Sequence, residues 1–219
     1  SSGRMELELK KFDYVSVCCG INLHLKAEET GIFYAEGADE HLDKLQIEYK
    51  GKTLYIKRKN EGGFKYFKGD WKGGRIDVYL SSAGMTGLSA SSGSNVENSE
   101  TYKTGNLDID ISSGANINLK LNVDNLNVES SSGSSANISG IALDAEFDSS
   151  SGSSCNAKTM SVYKSLRTEA SSGSSIQVTA HGKVWGDASS GGSIEIYGYP
   201  HQFDKDESSG GSVVLLNKK

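Results

Sequence analysis

A single proline, Pro200, interrupts this chain of 219 residues, which excludes collagen-like and proline-rich spacer architectures. Long apolar runs are missing too: no segment approaches the ~18 residues that a bilayer-spanning helix needs. No signal peptide is visible, and the chain fits the mature form of a secreted protein. The three cysteines, Cys18, Cys19 and Cys155, and the four scattered histidines, His24, His41, His181 and His201, show no zinc-ligand spacing. Metal catalysis through imidazole is therefore not expected. No basic stripe exists and the net charge is −5, which argues against a nucleic-acid partner.

What is present is a repeat. Apart from the amino-terminal Ser1-Ser2-Gly3, Ser-Ser-Gly recurs seven times, ending at Gly93, Gly114, Gly133, Gly152, Gly173, Gly191 and Gly210, with gaps of 21, 19, 19, 21, 18 and 19 residues. A unit of ~20 residues marks a chain that winds into stacked coils. Small or apolar residues are common three, five and seven positions before the glycines, as in Leu126 and Val128. They return three and five positions after it, as in Ile117 and Leu119 or Ile194 and Ile196. Period two means strands with one face buried. The parity changes across Ser-Ser-Gly, so the triplet is a bend at which glycine permits a positive φ. Too little chain separates the copies for helical crossovers.

These features predict an all-β fold: a β-solenoid, more specifically a right-handed, single-stranded parallel β-helix spanning residues 81–219. Small inward residues, Cys155 among them, predict a narrow core, and inward hydroxyls can bond one another or the turn carbonyls. Residues 5–80 lack the serine signature but carry successive alternating runs, from Phe12–Val17 to Leu54–Lys57, and a short helical turn near Asp39–Lys44. They read as an N-terminal β region that continues or caps the solenoid. Adjacent Cys18 and Cys19 are expected to point to opposite faces of a strand.

Four positions before the glycine lies an outward column that is Ser89 in the first copy and acidic in the other six: Asp110, Glu129, Asp148, Glu169, Asp187 and Asp206. Each acid can accept corner N–H groups and stay solvated. The same strip is the chain's candidate for Ca²⁺, whose hard oxygen preference it suits, although the nonapeptide calcium-roll spacing is missing. Apart from this, no cofactor is expected. Four positions after the glycines runs an amide column, Asn118, Asn137, Asn156 and Gln177, able to bond along the axis. Between Gly62 and Gly74, aromatic and basic residues alternate. Tyr66, Phe67 and Trp71 there either pack on the sheet or form an exposed loop that stacks on sugars or a partner protein. Trp185 and Tyr197–Tyr199 read as packing aromatics.

Several segments together resemble a known family. They are Lys11–Val17 with its Phe-Asp opening, the strand Lys52–Ile56, the Ser-Gly corners, and Ile196–Pro200 before the final Ser208–Gly211. The chain resembles the auto-transporter adhesin head GIN domain family, a domain of unknown function frequent in Bacteroides-type bacteria, over roughly residues 8–215. The resemblance implies a β-helical fold and an exported protein in the periplasm, outer membrane or cell surface of a Gram-negative bacterium.

Two functional classes follow. A rigid rod with uniform columns suits adhesion or a structural role without catalysis, with a surface glycan or protein as partner. Exposed edges and a flat end would also let copies pair into a homo-oligomer. The alternative is a carbohydrate-active β-helix enzyme, a polysaccharide lyase or hydrolase. That chemistry needs carboxylates or a base converging at one location. The irregular residues Arg167, His181, Asp187 and Asp204 are its candidates, and no spacing makes them converge.

Overall fold

The computed structural model describes residues 1–59 and 74–217. Its alternating segments wind into a β-solenoid of about seven turns. The central strands β10 (Tyr102–Ile111), β11 (Asn116–Ser130), β12 (Ser135–Ser149) and β13 (Ser154–Ala170) stack in parallel. The alternation in β11 slips once, at Asp124–Asn125, where the ladders on both sides skip Asp124 and resume in the same register. Registers follow the repeat: Ala136 pairs with Cys155, and Cys155 with Ile176. The core is thus a set of inward columns. Phe147, fully buried, stacks between Val128 and Thr168 where neighbouring coils offer small side chains.

The seven Ser-Ser-Gly corners of the repeat are one and the same turn. The N–H of the residue after glycine donates to the carbonyl of the first serine, for example Ser134 to Ser131 at 3.1 Å. The second serine and the glycine both have positive φ, 51° for Ser132 and 70° for Gly133. Two consecutive left-handed residues closed by that bond define a type I′ turn. Corners are also bonded to each other. Gly114 N–H donates to Ser132 C=O, Gly133 to Ser151 and Gly152 to Ser172, each within 3.0–3.1 Å. The buried serines one position beyond the glycine are satisfied as expected. Ser134, Ser153 and Ser174 donate to the carbonyls of Ile111, Ser130 and Ser149, at 3.2, 2.9 and 2.7 Å.

The stack contains an eighth corner. Cys18-Cys19-Gly20 lies beside Ser91-Ser92-Gly93, with φ of 67° at Cys19 and 68° at Gly20, and Gly20 N–H donates to Ser92 C=O at 3.0 Å. The two cysteines do not face opposite sides of a strand. They occupy a turn and are joined by a disulfide, with Cα atoms 3.7 Å apart.

This corner belongs to a coil made by β2 (Tyr14–Val17) and β3 (Asn22–Lys26), and the chain does not stack its coils in sequence order. Above lie β8 (Gly87–Ala90) and β9 (Asn95–Asn98); below lie β6 (Thr53–Arg58) and β7 (Ile76–Ser81). His24 ties this stack across its outer face, with Nε2 2.9 Å from Asp77 and Nδ1 2.5 Å from Glu97. The region therefore both continues the solenoid and closes it. Strands β1 (Ser2–Glu6), β4 (Phe33–Ala38) and β5 (Leu45–Lys50) pair antiparallel at this end, with the short helix α1 (Asp39–Leu42) between β4 and β5. Such pairing blunts edges that would otherwise recruit another chain.

At the opposite end, β17 (Gln202–Glu207) and β18 (Ser212–Leu216) form the last coil. Its core-column positions carry Lys205 and Glu207, where the coil below has Gly186 and Ala188. Lys205 Nζ lies 2.6 Å from Glu207 and 3.3 Å from the Val213 carbonyl, and Glu207 accepts the Val213 N–H at 3.3 Å. Charge placed on a core column discourages end-to-end pairing.

Candidate binding face

The parity that buries Ile109, Val128 and Phe147 turns their neighbours outward onto one broad face. Its first column is the acidic one, and the structure joins all six members in an unbroken ladder: Asp110, Glu129, Asp148, Glu169, Asp187, Asp206. Two residues earlier along each strand runs Asp108, Asn127, Glu146, Arg167, Trp185, Asp204. Two earlier again runs Asn106, Asn125, Asp144, Ser165, Lys183, Gln202. Arg167 and Lys183 are the basic members of these columns, so the face is strongly acidic.

The acids are not arranged as a cage. Among the described residues no group of three or more His, Cys, Asp or Glu side chains is placed to hold a metal ion. Burial, with Glu146 adding repulsion, raises the Asp148 carboxyl above the ordinary aspartate value. Burial, then Asp110 and Asp108, likewise raise the Tyr14 phenol. Both groups line a shallow depression of about 480 Å³ at the lower end of the face. Charge of one sign is crowded here rather than paired.

A larger groove of about 590 Å³ opens where the second and third columns meet. Trp185 stands half-buried in it, with the Arg167 guanidinium stacked 3.8 Å from its ring centroid. Arg167 also approaches Glu146 at 3.9 Å and Glu169 at 3.6 Å. Polar groups along the walls are held by their neighbours: Ser165 donates to Asp144 at 2.6 Å and Gln202 to Asp204 at 2.9 Å.

Of the four irregular residues considered for catalysis, Arg167 and Asp204 line this groove on either side of Trp185, and Asp187 belongs to the neighbouring acid column. His181 stands apart, stacked on exposed Tyr163 at 5.1 Å. No hydrogen bond or ion pair joins any two of them among the described residues. Tyr66, Phe67 and Trp71 lie outside the described residues. The amide column is in register from Asn118 to Gln177. Bonds along the axis join its final step, Gln177 to Glu195 at 3.1 Å, the adjacent column, Asn95 to Asn22 at 2.9 Å, and the third column of the acidic face, Asn125 to Asn106 at 2.8 Å.

Trp185 is the groove residue that sequence reasoning passed over as a packing aromatic. Its signal was parity: it sits two residues before Asp187, so it shares the outward side of the strand.

Stacked coils bonded only to their neighbours define a β-solenoid repeat protein. The chain belongs to the family described as "Putative auto-transporter adhesin, head GIN domain", whose model matches residues 11–200. It is similar in structure to a protein from Bacteroides fragilis described as a putative adhesin, with 20% identity and a TM-score of 0.82, covering 100% of this chain and 97% of that one. A second such protein, from Parabacteroides distasonis, shares 18% identity at a TM-score of 0.74, covering 99% and 96% of the two chains. A third, from the same species and described as a putative lipid binding protein, shares 16% identity at a TM-score of 0.65, covering 100% and 97% of the two chains. At these identities the likeness is one of fold. No curated protein matches the chain.

Proposed function

We propose that this protein is an exported β-solenoid of a Gram-negative cell envelope or surface, with an adhesive or structural role and no catalysis. The observation that carries this reading is the face itself, whose side chains repeat coil after coil in ladders. Repetition offers many equivalent weak contacts, whereas bond cleavage demands a single place at which acid, base and substrate meet. Membership of the adhesin family supports the adhesive role. Export is supported by the Cys18–Cys19 disulfide, a linkage that persists in oxidising compartments. The acidic column attracts Ca²⁺ as a loose counterion layer rather than in a coordinated site.

The test has two arms. Antibody labelling of intact and permeabilised cells of the source bacterium should locate the protein outside the cytoplasm; labelling only after lysis of the inner membrane overturns export. Incubation with neutral and acidic polysaccharides should release no reducing ends or unsaturated sugars. Turnover that disappears in Asp187→Asn or Asp204→Asn establishes the lyase or hydrolase alternative instead.

A further inference from the structure

We infer that the groove around Trp185 is a carbohydrate-binding site for a neutral, linear polysaccharide laid along the solenoid axis. The inference rests on the adhesive reading and names the ligand class of that face.

Three observations carry it. The first is the indole. The Arg167 guanidinium lies over the Trp185 ring, and the indole is half-buried among the groove-lining residues. The residue in register on the next coil is Asp204, a short side chain. A half-buried indole is a flat apolar surface bordered by polar groups, which suits the C–H face of a pyranose ring.

The second is the wall chemistry. Asn125, Asn127, Asp144, Glu146, Gln202 and Asp204 line the same groove and present amide and carboxylate groups. A sugar ring carries vicinal hydroxyls that each donate and accept, and such groups complement both. Several are already oriented by neighbours, including Asp144 by Ser165 and Asp204 by Gln202, which lowers the cost of ordering them on binding.

The third is the repeat. The lining residues come from five successive coils, those of Asn125, Asp144, Ser165, Lys183 and Gln202. Four strand spacings amount to ~19 Å, the length of a short oligosaccharide and far longer than one sugar. A ligand of that length meets polar groups from each of the five coils, so added units add contacts.

Charge selects the class. The acidic column borders the groove along its length and repels uronate or sulfate chains, leaving a neutral glycan as the ligand that loses nothing on approach. A basic peptide would be drawn to the acids but has no need of the indole.

Affinity electrophoresis of the full chain through gels containing galactomannan, xyloglucan, hydroxyethylcellulose or alginate provides the test. Retardation is expected in at least one neutral polymer and not in alginate. Titration with oligosaccharides of the retarding polymer should show affinity rising with length to about four units, accompanied by a shift in tryptophan fluorescence. Trp185→Ala should weaken binding about tenfold, and Trp185→Phe, which keeps a ring and protects the fold, should retain most of it. Arg167→Gln should weaken binding less than Trp185→Ala does. Retardation by no neutral polymer, preference for alginate, retardation unchanged in Trp185→Ala, or binding only to polylysine overturns the proposal. Beads coated with wild-type or Trp185→Ala protein, applied to cell layers, separate the two levels. If both adhere equally, the groove proposal fails while adhesion stands; if neither adheres, adhesion itself fails.

Discussion

Arg58 Nε donates to the carbonyl oxygen of Cys19 at 2.7 Å, while its Nη2 donates to Gly74 C=O at 2.8 Å. Cys19 C=O is the equivalent of the serine carbonyls that accept a glycine N–H from the corner below. At the lowest corner among the described residues, the guanidinium takes the place of that glycine. Burial of Arg58 holds its pKa below the ordinary arginine value, so the terminal bond is made by a partly desolvated cation.

Arg58→Met should therefore lose about 1–3 kcal/mol of stability in urea titration, with Arg58→Lys intermediate because ammonium lacks the planar fork. The same substitutions should leave binding by the Trp185 groove unchanged.

Cysteine chemistry should divide cleanly. Native protein should take up no alkylating label, and mild reduction should expose two thiols, at Cys18 and Cys19. Cys155 should react only after unfolding, since complete burial pushes its thiol up to about 12. Mass spectrometry of labelled peptides distinguishes the three sites.

Backbone geometry predicts a contrast between two glycines, one inside β12 and one at a corner. Gly140, at φ of 118°, has no room for a methyl group, because an added Cβ would stand 1.8 Å from the Leu121 carbonyl oxygen. Gly152, at φ of 70°, faces open space. Gly152→Ala should cost about 1–2 kcal/mol for conformation alone, and Gly140→Ala clearly more; paired denaturation curves read the difference.

The crowded acids give a pH signature. Folding raises the Asp148 carboxyl above its unfolded value, through burial first and Glu146 second. The folded state thus binds a proton before the unfolded state does, and its stability rises as pH falls through the raised value. Asp148→Asn should stabilise the protein at neutral pH, by less than about 1 kcal/mol for so solvated a group. The advantage should vanish in acid, as thermal melts against pH would show.

Neutralising the upper end should change assembly rather than fold. Lys205→Leu with Glu207→Leu replaces the ion pair on the core column by apolar surface next to Val213. The double variant should self-associate in light scattering at concentrations where the parent does not.

How far the residues themselves reveal this can be followed column by column. Asp110 to Asp206 are in register because period two and a near-constant repeat leave little freedom, and the burial of Cys155 follows for the same reason. Cys18-Cys19-Gly20 escaped because its side chains differ from serine and because 73 residues separate Asn22 from its neighbour Asn95. Periodicity says which residues share a column but not the order in which coils are stacked, so β6 and β7 beneath β2 and β3 could not be foreseen. Ser132 and its equivalents in left-handed backbone were missed because glycine alone was expected to supply positive φ. Trp185 reads as a packing aromatic and does stack with Arg167; its place on the outward side of the strand follows only once its parity is counted.

That out-of-order stacking sets a hierarchy of assembly. Neighbouring upper coils join residues 19 apart, as Asn106 and Asn125 are, whereas Asn22 must find Asn95 across a separation of 73. The longer closure costs about 1.2 kcal/mol more in chain entropy. The upper coils can zip one upon another as short local loops, and the amino-terminal coil docks onto a template already built. The first residues of the polypeptide are thus among the last to reach their places.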